Sequence, residues 1–109
     1  MTVEELTKQL NLTCMGGKKG LGKEVTGVYI GDLLSLVMAR SKEGDLWLTV
    51  QGHINTLAVA ALVNMPAILL VEGILPTDEM IQKAEEEAIV LLTTHKTAYE
   101  MACALNKWL

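Results

Sequence analysis

The sequence predicts a three-layer α/β fold: a mostly parallel sheet of four to five strands with helices on both faces. Two observations carry that expectation. The aliphatic runs at residues 46–50, 67–71 and 89–93 lack a clean alternation of apolar and polar positions, as strands covered on both faces do. Between them lie segments of about ten residues with helical periodicity, the pattern of βαβ crossovers. The composition fits such a core, since half of the 109 residues are hydrophobic while aromatics make up 4% and Phe is absent. Aliphatic and Met side chains must therefore fill the interior.

Thr2 with Glu5 three positions on forms a capping box, and Val3, Leu6 and Leu10 follow at helical spacing, so residues 3–10 read as a short helix. Residues 12–15 read as a strand. Gly16, Gly17, Gly20 and Gly22, interleaved with Lys18, Lys19 and Lys23, read as an exposed loop and as the most mobile internal segment. The regular alternation then begins. A strand is expected over 25–30, a helix over 33–40 capped by Asp32, and a turn at Gly44 and Asp45 leads into a strand over 46–50. Asn55 is expected to cap a helix running to about Asn64, and Pro66 punctuates before the strand over 67–71. Thr77 and Asp78 open a helix with Met80, Ile81, Ala84 and Ala88 on one face, with Glu85, Glu86 and Glu87 as its solvated end. After the strand over 89–93, Thr97 and Glu100 make a second capping box for a helix striped by Ala98, Met101, Ala102, Leu105 and Trp108.

This length suits one domain over residues 1–109 with no disulfide staple. The apolar runs fall short of the roughly 18 residues a membrane span needs, and the N-terminus has no secretory pattern, so a cytoplasmic protein without membrane partners is expected. Cys14 and Cys103 match neither zinc nor redox spacing and read as buried thiols in a reducing compartment. A net charge of −4, with the acidic excess in the second half, argues against nucleic acid as a partner.

The stretch from Gly17 to Lys23 matches the first seven positions of a phosphate-cradling P-loop but has Glu24 where a magnesium-binding hydroxyl belongs, and it leads into a strand instead of a helix. Nucleotide hydrolysis is therefore not expected. No metal site is expected from His53, His95, Cys14 and Cys103, which come from unrelated elements, and Ser35 lacks a nucleophile elbow. No cofactor follows from the motifs.

In parallel α/β sheets, ligands bind beyond the carboxyl ends of the strands, where turns enter helix N-termini. That rule selects Asp32, Gln51, Gly52, His53, Asn55, Thr56, Glu72, Gly73, Thr94 and His95 as candidate ligand-binding residues, with Gly31 and Thr93 beside them. No catalytic residue is assigned. The helical segments at 33–39 and 57–63 are apolar nearly all round, so either one is central in the core or an apolar face is left for a partner, most simply a second copy in a homodimer.

The segments 24–32, reading Glu-Val-Thr-Gly-Val-Tyr-Ile-Gly-Asp, 42–50, and 71–76 together resemble the DRTGG domain family, over nearly the whole chain. The resemblance implies the fold of the N-terminal domain of HPr kinase and a noncatalytic regulatory module, often at dimer interfaces, since the kinase activity of that enzyme belongs to a separate P-loop domain. The name-giving motif of the family falls at the turn that here reads Gly52-His53-Ile54-Asn55-Thr56, matching it at none of the five positions. The expected function is a self-associating regulatory or ligand-sensing domain for a small metabolite or nucleotide. The alternative is a protein–protein interaction module without a small-molecule ligand; an enzyme using Asp32, His53, Glu72 or His95 is the third reading.

Overall fold

The computed structural model describes residues 1–109 as one five-stranded sheet covered by helices on both faces. The strands are β1 (Thr13–Gly16), β2 (Gly27–Ile30), β3 (Asp45–Thr49), β4 (Ala67–Leu70) and β5 (Val90–Thr93), in spatial order β1-β5-β4-β3-β2. The helices are α1 (Val3–Gln9), α2 (Leu34–Arg40), α3 (Ile54–Val63), α4 (Asp78–Glu87) and α5 (Ala98–Leu105), with a 3-10 turn at Lys18–Gly20. β2 through β5 run parallel, and β1 joins β5 antiparallel with a bulge between Cys14 and Gly16. The expected mostly parallel three-layer architecture is the observed one. No helix is long and apolar enough to cross a membrane.

Every residue of β3, β4 and β5 is buried, which explains why their sequences carry no polar alternation. Side-chain parity divides the interior into two cores. Leu46, Leu48, Ala67, Leu69, Val90 and Leu92 meet Val3 and Leu6 of α1 and Met101 and Leu105 of α5. On the other face Trp47, Ile68, Leu70 and Leu91 meet Val37 of α2, Leu57 and Ala60 of α3, and Met80 and Ala84 of α4. Trp47 is fully buried and its indole N–H donates to the Gly31 carbonyl at 2.8 Å, satisfying the one polar atom the ring takes inside.

Both expected capping boxes are present: Thr2 with Glu5 on α1, and Thr97 with Glu100 on α5. The cap backbone N–H and hydroxyl of each Thr donate to the Glu carboxylate, which holds both carboxyls below the ordinary glutamate range. A depressed folded-state pKa means each box stabilises above that range and weakens as pH falls through the lowered value. Trp108 lies past the end of α5 and is partly exposed, so the stripe expected on that helix is shorter than its spacing implied.

The two apolar helices have different fates. α3 buries Thr56, Leu57, Val59 and Ala60 between its neighbours, whereas α2 buries Val37 alone. Leu33, just before α2, is 61% exposed, and Leu36 and Met38 also face outward. The central apolar helix is thus α3, and α2 is the one left with an apolar outer face.

Three sequence expectations are corrected. The glycine segment is exposed at Lys18, Lys19, Gly22 and Lys23 but is a packed turn at its other glycines: Gly17 and Gly20 are buried against the end of α4. Gly17 takes φ +72°, and its N–H donates to Glu85 Oε1 at 2.8 Å, so Glu85 is a tether as well as a solvated helix residue. Cys103 is exposed and Cys14 half-buried, where both were expected inside; the inward positions of α5 are taken by Met101 and Leu105.

A Cβ at Gly17 would lie 1.8 Å from the Ile89 carbonyl oxygen, and one at Gly20 would lie 2.2 Å from that of Ala88, while one at Gly22 meets nothing within 4 Å. Gly17→Ala is therefore expected to lower stability by at least about 2 kcal/mol, and Gly22→Ala to change it by less than about 0.5 kcal/mol, as read by urea denaturation. Equal effects at the two positions would contradict the packed turn.

Candidate functional site

Because β2 to β5 are parallel, their carboxyl ends emerge on one edge of the sheet; the turns that follow them carry eight of the ten candidate residues, and Asn55 and Thr56 lie in the first turn of α3. Two groups form there. The first joins the ends of β2 and β3. Asp32 Oδ1 accepts from the Thr49 hydroxyl at 2.8 Å and from the Val50 N–H at 3.0 Å. The Gln51 N–H donates to the Thr49 hydroxyl oxygen at 3.2 Å, and the Gln51 side-chain amide donates to the Asp32 carbonyl at 3.4 Å. That orientation leaves Gln51 Oε1 to accept from His53 Nε2 at 2.8 Å. A neutral His53 then carries its proton on Nε2, with Nδ1 free to accept.

The second group joins the ends of β4 and β5. Glu72 and Gly73 occupy consecutive left-handed positions, φ 60° and 74°, in a turn closed by the Ile74 N–H to the Val71 carbonyl. Their N–H groups donate to the Lys96 and Thr94 carbonyls at 2.8 and 2.9 Å, fastening this turn to the one after β5. A Cβ at Gly73 would stand 3.0 Å from His95 Nδ1, so the imidazole lies directly over the glycine. Glutamate in a left-handed position is locally strained, and such strain is retained where the surroundings over-determine the backbone. Gly52 connects this side to the first, its carbonyl accepting from Thr77 N–H at 3.0 Å.

Depth is uneven along the rim. Thr94 and His95 line a cavity of about 340 Å³ with Leu10, Asn11, Thr13, Thr93 and Lys96, while Asp32, Gln51, Gly52, His53, Glu72 and Gly73 line none. Those six form a shallow polar surface. Other concavities lie elsewhere: a 290 Å³ groove between edge strand β2 and α5, and a 190 Å³ groove between α3 and α4 lined by Ile54, Glu79, Gln82, Lys83 and Glu86.

Two capping assignments are corrected. Asp32 does not cap α2, whose N-cap is Leu33 without a side-chain bond; its carboxylate turns to Thr49 and Val50 instead. Asn55 lies inside the first turn of α3, whose N-cap is His53, also without a side-chain bond. Both residues are thereby released from the local role the sequence gave a reason for. Thr49, Asn11, Thr13 and Lys96 were missed as site neighbours. Thr49 had a visible signal, a hydroxyl at the end of an otherwise apolar strand.

No family model matches the sequence, and no curated protein matches it either. The fold is similar to a solved structure containing the CBS and DRTGG domains of the regulatory region of Clostridium perfringens pyrophosphatase, complexed with its activator diadenosine tetraphosphate. The TM-score is 0.71 at 15% identity, over 94% of this chain and 44% of that one. This chain thus corresponds to less than half of that structure. At that identity the likeness is one of fold: a five-stranded, mostly parallel α/β architecture related to that of a DRTGG-containing regulatory region.

Asp32 satisfies both the hydroxyl of a 2%-exposed Thr49 and a backbone N–H, so Asp32→Ala is expected to cost about 1–2 kcal/mol by urea denaturation. Asp32→Asn keeps an acceptor oxygen and should lose less than half as much. An Asn variant as damaged as the Ala variant would show that the carboxylate charge, and not its acceptor geometry, holds the turn.

Proposed function

We propose that residues 1–109 form a single DRTGG-type domain that acts, without catalysis, as a self-associating regulatory or ligand-sensing module in the cytoplasm. Its ligand is a small metabolite or nucleotide bound at the carboxyl ends of the strands. The observation that carries this reading is the chain of side-chain hydrogen bonds from Thr49 through Asp32 and Gln51 to His53. It holds polar groups in fixed positions on a surface where nothing in the folding of the sheet requires His53 to be ordered. The neighbouring turn, with Glu72 in a left-handed conformation and His95 over Gly73, adds a second set of polar groups on the same edge. The likeness in fold to a regulatory region crystallised with a nucleotide activator supports the nucleotide class.

A second reading rests on a separate observation. Ile30, Leu33, Leu36 and Met38 leave an apolar surface at edge strand β2 and helix α2, which suits a pure protein–protein interaction module. The ligand reading predicts a saturable rise in melting temperature with at least one nucleotide or metabolite at millimolar concentration, reduced in His53→Ala and in Glu72→Ala. A flat response across such a set, paired with a stable protein partner recovered from extract, would favour the interaction module.

A further inference from the structure

The cavity of about 340 Å³ at the margin of the sheet, where β1 begins beside the end of β5, is built almost wholly from hydrogen-bonding groups. All but one of its lining side chains are polar: Asn11, Thr13, Thr93, Thr94, His95 and Lys96. No carboxylate lines it. Thr13 and Thr93 are partners in the antiparallel register, so their side chains stand next to each other on one side of the sheet.

Thr93 is the informative residue. It is 8% exposed, yet its hydroxyl makes no hydrogen bond within the protein. Among buried side-chain polar atoms only the Thr56 hydroxyl is both unpaired and sealed from solvent, so the Thr93 hydroxyl opens into the cavity that Thr93 lines. Its counterpart on β3 shows what such a hydroxyl takes as a partner. Thr49 lies in the same row of the sheet, through Leu70, and donates to the Asp32 carboxylate at 2.8 Å. At Thr93 the protein supplies no such carboxylate. The Thr13 hydroxyl and the Asn11 amide are likewise without partners, and Lys96 makes no ion pair. The Glu100 carboxylate senses the Lys96 charge but is bonded to Thr97 and lies outside the lining.

We propose that this cavity binds the carboxylate of a small metabolite, with the Thr93 and Thr13 hydroxyls donating to it and the Lys96 ammonium balancing its charge. The external group takes the place at Thr93 that Asp32 takes at Thr49. Hydrogen bonds to an ionised acceptor are about twice as strong as neutral ones, which favours a carboxylate over water at these hydroxyls. Lys96 is the one lining side chain with a permanent charge, which matches a single negative charge. Phosphate as a dianion would leave an excess negative charge on a chain whose net charge is already −4. The site extends the strand-end reading to the margin of the sheet and does not depend on a ligand at the group that runs from Thr49 to His53.

The test is a backbone amide NMR titration of the isotope-labelled full chain with sodium lactate, its neutral isostere lactamide, inorganic phosphate and ATP. Lactate is expected to shift the Thr13, Thr93 and Thr94 amide resonances saturably at millimolar concentration, and lactamide to leave them in place. Lys96→Gln, at an exposed position, should weaken lactate binding at least tenfold, and Lys96→Arg should retain it. Thr93→Val keeps the shape without the hydroxyl and should weaken binding roughly tenfold, with the melting temperature unchanged or raised because no internal bond is lost. The proposal is overturned if lactate leaves those resonances unmoved, or if lactamide or phosphate binds as tightly as lactate. It is equally overturned if Lys96→Gln or Thr93→Val binds lactate as well as the parent. In that event ATP shifting the Gln51, His53 and Glu72 resonances leaves the strand-end ligand reading intact.

Discussion

The completeness of the backbone ladder across β3, β4 and β5 is the constraint from which the remaining architecture follows. These strands expose almost no surface, so every N–H and C=O they take inside must pair with a neighbouring strand, and in-register parallel pairing achieves this from β2 through to β5. Burial on both faces forces helices onto both sides, α1 and α5 on one and α2 to α4 on the other. Parallel direction then sends four strand ends to the same edge, where turns must provide polar groups that the core does not admit. The antiparallel strand β1 is at the margin and leaves that polarity intact.

Much of this was legible in the chain. The apolar runs identified the buried strands because no alternation interrupts them, and the pairs Thr2/Glu5 and Thr97/Glu100 identified two helix starts because their reciprocal bonding is a purely local event. The failures occurred where a distant segment outbid a local preference. Asp32 has the chemistry of a cap but finds a buried hydroxyl and an N–H at the end of β3, seventeen and eighteen residues on. The glycine segment has the composition of a mobile loop. Yet absence of side chains is also what lets a backbone approach the end of α4 closely, and periodicity does not distinguish the two. Apolarity all round likewise marked both α2 and α3, while only the order of strands reveals that α3 is flanked on both sides and α2 lies near the sheet edge.

The candidate site was legible as a set of positions and not as a geometry. The rule that ligands gather beyond parallel strand ends selected residues that do share one edge. It gave no information on how they bond to each other. The hydrogen bonds from Thr49 to His53 and the left-handed turn at Glu72 are properties of three-dimensional neighbours. The edge is also shallower than that rule implies in doubly wound folds. Here β2 to β5 succeed each other without reversal, so no crevice opens between diverging crossovers, and the 340 Å³ cavity arises where β1 joins β5. A ligand that uses this edge would lie across it and would depend on backbone donors and fixed polar side chains more than on enclosure.

The most direct measurement is diffraction from crystals of the chain grown with a nucleotide. The account predicts density lying along the strand carboxyl ends, against the turns that carry Asp32, Gln51 and His53 on one side and Glu72 and His95 on the other. A nucleotide seated in the groove between β2 and α5, with the strand-end turns bare, would contradict it.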